Sequence, residues 1–127
     1  MLAQEKLVAF LATSDAAAAR AFYEGVLGLS FAGDNGHLLL FDSGAARVAL
    51  QKTDTVTPRV GTAMGWNVQD LRGTMRQLIE RGVAFERFEG MEQDDLGVWS
   101  PAGPTTGVAW FKDPDGNLLS LSQSEAG

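Results

Sequence analysis

Two hydrophobic rhythms alternate along the chain, and their order repeats. EKLVAFLAT (5–13) is a short apolar run that predicts a buried strand. Ser14 and Asp15 follow, both residue types that accept hydrogen bonds from a first helical turn, and then AAAARAFYEGVLG. There Phe22, Tyr23, Val26 and Leu27 share a helical face, and Gly28 supplies a stop. LSFAG (29–33), HLLLF (37–41) and ARVALQK (46–52) predict three strands. Asp34-Asn35-Gly36 is a hairpin turn between the first two, and Ser43-Gly44 a weaker turn before the third. TDTVTPR (53–59) is polar, with one proline, and predicts a linker over about 53–60.

The same order then returns. GTAMGWNV (61–68) predicts a strand, and Asp70 a helix cap. LRGTMRQLIERG carries Leu71, Met75, Leu78 and Ile79 on one face and stops at Gly82. VAFERF (83–88) and LGVWS (96–100) predict strands, and GVAWF (107–111) with NLLSLSQ (117–123) a final hairpin. The repeat is one of pattern rather than of letters, with halves at about 5–52 and 61–123. Neither half has enough core alone, so the two are expected to form one domain over 1–127, of α+β class.

Composition narrows the chemistry. The chain has 127 residues, 45% hydrophobic and 20% charged, the range of an ordinary soluble domain. There is no cysteine, so disulfides, thiolate metal sites and cysteine nucleophiles are excluded. His37 is the single histidine, which rules out a multi-histidine metal centre within one chain. A net charge of −6 argues against nucleic acid, whose phosphates call for Lys and Arg. No apolar run approaches a membrane span and the N-terminus lacks signal-peptide features, so a cytoplasmic location and no membrane partner are expected.

Three stretches carry a family resemblance: TSDAAAARAFYEGVLGL, VQDLRGTMRQLIERGVAF and, most specific, AWFKDPDGNLLSL. With the repeat, they make the chain resemble the vicinal oxygen chelate superfamily, which includes glyoxalase I, extradiol dioxygenases, fosfomycin-resistance enzymes and bleomycin-binding proteins. The resemblance implies paired βαβββ modules whose eight strands form a curved mixed sheet around a U-shaped cleft, with helices on the outer face. It also implies a homodimer. Enzymes of the family typically hold one divalent metal with His, Gln or Glu at four places. Counted from the two capping aspartates and the DPDG turn, three of these positions are Val8, Ala63 and Ser120; the fourth is Leu50 or Gln51. Val8 and Ala63 have no lone pair, and Ser120 and Gln51 are neutral. Neither a hard cation nor a zinc-type ion is served by that set, so no metal and no cofactor are expected.

Strand alternation extends these positions to a face. Phe10 joins Val8; Gly65 and Asn67 join Ala63, with Trp66 turned to the helix side; Leu118 and Ser122 join Ser120. Trp110 is expected opposite Ser120, with Val108 on the same face. Val8, Phe10, Gln51, Ala63, Gly65, Asn67, Val108, Trp110, Leu118, Ser120 and Ser122 are therefore the candidate ligand-binding residues. Aromatic walls with a few neutral polar points suit an apolar or cationic organic ligand. Trp99 reads as a packing or dimer-contact residue, and His37 as a turn residue without an orienting partner. The acidic stretch ERFEGMEQDD (86–95) reads as a solvated loop, or else as a lip that attracts cations. The leading expectation is a metal-free small-molecule binding protein, as in drug sequestration. The alternatives are a glyoxalase-like lyase, isomerase or dioxygenase with a non-standard or absent metal site, and an interaction module with a filled cleft.

Overall fold

The computed structural model describes residues 1–124. The chain divides into two compact units, one spanning Met1–Pro58 and one beginning at Arg59. The class is mixed α+β, with two small sheets and few helices.

The first unit opens with a 3-10 turn at Leu2–Gln4, then β1 (Val8–Thr13) and α1 (Ala16–Arg20). Asp15 caps α1 by accepting the Ala18 amide at 3.0 Å. The helix widens into a π turn over Ala21–Val26, where the Leu27 amide reaches the Phe22 carbonyl at 2.9 Å. Gly28, at φ +77°, takes the left-handed conformation that ends it. β2 (Ser30–Asp34), β3 (Leu38–Ser43) and β4 (Ala46–Lys52) complete a sheet in the order β1-β4-β3-β2. β1 runs parallel to β4 and the other pairs are antiparallel. Leu11, Leu39, Phe41, Val48 and Leu50 are buried on the helix side together with Ala19 and Tyr23. Tyr23 rests on Phe41 with ring centroids 5.7 Å apart, and each such buried side chain contributes about 1.5–3 kcal/mol.

The second unit repeats the plan. β5 (Met64–Asn67), α2 (Leu71–Glu80), β6 (Gly107–Lys112) and β7 (Leu118–Gln123) give a sheet in the order β5-β7-β6, with β5 parallel to β7 and β6 antiparallel to it. Asp70 caps α2 through the Gly73 amide at 3.1 Å, and the Gln123 side chain accepts the Leu71 amide at 2.8 Å. At the other end Val83 donates to the Leu78 carbonyl past Gly82, which sits at φ +95°. Leu71, Met75 and Leu78 are buried together with Ala109, Phe111, Leu119 and Leu121. Ile79, expected on the same buried stripe, is instead exposed.

Two predicted strands shrink to single bridges. Of 83–88, only Phe85 pairs, with Phe111; of 96–100, only Trp99 pairs, with Val108. The described residues therefore form seven strands rather than the eight the resemblance implies. The cause lies in the side chain of Gln93. It accepts the Phe88 amide at 2.9 Å and donates to the carbonyls of Glu86 and Gly97 at 3.1 and 2.7 Å. Backbone groups that a neighbouring strand would satisfy are satisfied by that amide instead. Gly97 at φ +103° also breaks the extended path just before Trp99.

Candidate functional site: the helix-free sheet faces

The DPDGN turn sets the register of the second sheet. The Asp113 carboxylate accepts the amides of Asp115 and Asn117 at 3.0 and 2.9 Å and the Asn117 side-chain amide at 2.8 Å. Gly116 supplies the left-handed corner at φ +87°. Counted from this turn, Trp110 falls opposite Ser120 and Val108 opposite Ser122. On the other side of β7, Gly65 falls opposite Ser120 and Asn67 opposite Ser122. Ala63 joins through its amide, which donates to the Leu118 carbonyl at 2.8 Å. The face turned away from α2 thus carries Ala63, Gly65, Asn67, Val108, Trp110, Leu118, Ser120 and Ser122, as strand alternation predicts. The opposite face carries the buried Ala109, Phe111, Leu119 and Leu121.

Gly65 is required where it stands. A Cβ there would strike the Ser120 hydroxyl and lie 2.8 Å from the Ser120 carbonyl oxygen. The missing side chain lets Ser120 lean across the sheet.

Trp110 is fixed from three sides. Its indole nitrogen donates to the Thr62 hydroxyl at 3.1 Å, meeting the need of a half-buried indole for a partner. Phe88 meets it edge-on with centroids 5.4 Å apart. Trp99 lies 6.3 Å away, tilted by 38°. Thr62, Phe88 and Trp99 were not assigned to this face by the sequence pattern. Phe88 and Trp99 reach it through loop segments whose course depends on Gln93, and no periodicity reports that. Beside the aromatic group Lys112 pairs with Glu86 at 3.6 Å, and the Asn67 side chain donates to the Ser124 hydroxyl at 3.3 Å.

In the first unit the register decides between Leu50 and Gln51. Val8 pairs with Arg47, Phe10 with Ala49 and Ala12 with Gln51. Gln51 therefore shares the helix-free face with Val8 and Phe10, while Leu50 is buried on the helix side. Phe10 is 59% exposed on this face. At one end Asp42 receives two hydrogen bonds from Arg47, at 2.9 and 3.3 Å, and one from Lys6 at 3.2 Å. These hold its carboxyl below the usual range, Arg47 first. At the other end the Lys52 ammonium, then the Gly36 amide, lower Asp34 in the same way. His37 lies exposed at the tip of the β2–β3 turn, its amide bonded to Asn35.

By the count that the resemblance implies, combined with this register, the family's metal positions fall on Val8 and Gln51 in one unit and on Ala63 and Ser120 in the other. These residues do not fit a divalent ion: two are hydrocarbon, two neutral, and none carries a carboxylate or imidazole.

The acidic stretch is built into the second unit. Asp94 accepts the amides of Leu96, Gly97 and Val98 at 3.0, 3.1 and 2.9 Å and the Arg72 guanidinium at 2.8 Å. Burial opposes its ionisation, but the Val98 amide, Arg72 and the Leu96 amide outweigh that and hold the carboxyl below its ordinary value. Arg87 adds bonds to the carbonyls of Asp94 and Asp95, both at 2.7 Å.

No helix among the described residues is long and apolar enough to cross a membrane. Solved structures share the fold over nearly the whole chain. A lactoylglutathione lyase from Agrobacterium tumefaciens aligns with 18% identity over 97% of this chain and 96% of that one, at a TM-score of 0.67. TnmS3, an antibiotic binding protein from Streptomyces sp. CB03234, aligns with 20% identity over 98% and 99%, also at 0.67. A glyoxalase/bleomycin resistance protein/dioxygenase superfamily member from Sphaerobacter thermophilus DSM 20745 aligns with 24% identity over 98% and 100%, at 0.70. Likeness at these identities concerns the fold. No curated protein matches the chain. The family model of the glyoxalase/bleomycin resistance protein/dioxygenase superfamily matches residues 6–121, and the chain belongs to that superfamily.

Proposed function

We propose that this protein is a metal-free small-molecule binding protein, and that the helix-free face of its second sheet takes an apolar organic ligand with a flat ring system. The observation that carries the reading is Trp110, anchored by Thr62 and set against Phe88 and Trp99 beside a row of neutral polar groups. A preset aromatic surface binds a flat ring with little ordering cost. Ser120, Ser122 and Asn67 offer hydroxyl and amide groups that orient a ligand without demanding charge. The nearby charges of Lys112 and Glu86 are already paired. At the family's metal positions the donor set lacks the groups a Lewis-acid site needs. TnmS3, which shares the fold, is an antibiotic binding protein, and drug sequestration is the role this reading favours.

Titration with a panel of planar antibiotics, followed by tryptophan fluorescence, tests it. Saturable quenching by at least one compound, lost in Trp110→Ala, is the expected result. Absence of quenching across the panel, together with no protection of cells expressing the protein, overturns drug binding.

A further inference from the structure

A second concavity lies in the same unit and shares Trp99 with that face. It has a volume of about 660 Å³ and is lined by Arg72, Glu92, Asp94, Trp99, Pro101 and Pro104, among others. None of the β5–β7 face residues named above lines it. Its size falls within the range of small-molecule sites. Its charges sort into used and unused groups. Arg72 is engaged by Asp94 at 2.8 Å and by the Pro104 carbonyl at 3.4 Å, so the guanidinium ties the two loops that wall the groove. Asp94 is spent on that bond and on three backbone amides. Glu92 lines the groove and makes no hydrogen bond or ion pair among the described residues. Trp99 is 36% exposed and lines the groove together with Pro101 and Pro104.

We propose that this groove binds a small organic cation of the alkylammonium class. The indole face attracts a weakly hydrated cation through its quadrupole, and Glu92 supplies the one unneutralised charge facing it. The net charge of −6 adds a long-range attraction of the same sign. The site does not rest on the flat-ring reading of the sheet face. Trp99 touches Trp110, but Glu92 belongs to the groove alone.

Isothermal titration of the full chain with choline chloride at low salt tests the assignment, with neutral 3,3-dimethylbutanol as the uncharged isostere. One choline per chain is expected, with affinity about tenfold above that of the isostere. Glu92→Gln is expected to weaken choline by about fivefold to tenfold and leave the isostere unchanged. Trp99→Ala weakens both. Glu92 is exposed, so its substitution is compatible with folding even if removal of Trp99 is not. No choline binding, equal affinity for choline and isostere, or choline binding indifferent to Glu92→Gln overturns the proposal.

Discussion

Ser120 falls at a metal position of the superfamily by the count that the resemblance implies, and its side chain is a neutral hydroxyl. On β7 that hydroxyl leans over Gly65. Gly65→Ala is expected to force β5 and β7 apart and destabilise the unit by roughly 1–3 kcal/mol. Adding Ser120→Ala should recover only part of the loss, because the Ser120 carbonyl remains 2.8 Å from the new methyl. Urea denaturation of the single and double variants measures this, and full recovery would contradict it. A second residue-scale expectation concerns pH. Asp34, Asp42 and Asp94 all have depressed pKa values in the fold. A depressed carboxylate contributes stability that is present above its unfolded pKa and lost as pH falls through its folded pKa. Stability should therefore drop as pH falls below about 4, the ordinary carboxylate range, and Asp94→Asn should flatten part of that slope in denaturant midpoints measured across acid pH. An unchanged slope would mean that Asp94 is not held as described. The family resemblance implies the metal positions by a count from its motifs, and that count leaves Leu50 and Gln51 open. That choice needed the β1–β4 pairing, since both residues are compatible with a strand.

At the scale of elements, the DPDGN turn is the device that makes the second sheet readable. Its hydrogen bonds are local to five residues, so the motif carries its own geometry, and a count along each arm places Trp110 against Ser120. Asp113→Ala removes three acceptor contacts at a buried site and should cost about 2–3 kcal/mol, with weaker ligand binding as the hairpin register loosens. A loss below about 0.5 kcal/mol in thermal or urea unfolding would contradict that role. The helices were equally legible, because Asp15 and Asp70 cap them and Gly28 and Gly82 end them. The two strands that are lost share one cause. In 83–88 and 96–100 the apolar residues have strand spacing, yet Gln93 and Asp94 satisfy the backbone from within the loop. Such side-chain substitution for a sheet partner leaves no periodic trace. It also decides the site, because the same loops bring Phe88 and Trp99 to Trp110.

For the whole molecule, the repeat is visible in the strand orders: β1-β4-β3 in the first unit and β5-β7-β6 in the second have the same parallel and antiparallel pairings. We read the protein as a homodimer, and light scattering after size exclusion should give about twice the 13.5 kDa chain mass; a single chain mass would refute this. The central claim is ligand binding on an aromatic sheet face without a metal. Its most direct measurement is calorimetric titration of dialysed, EDTA-treated protein with the planar compound that quenches most strongly, beside elemental analysis of the same sample. The account predicts saturable binding that EDTA leaves unchanged, that Trp110→Ala weakens at least about tenfold, and that proceeds with no stoichiometric divalent metal. Binding abolished by EDTA and restored by one metal ion per chain, or binding indifferent to Trp110→Ala, would contradict it.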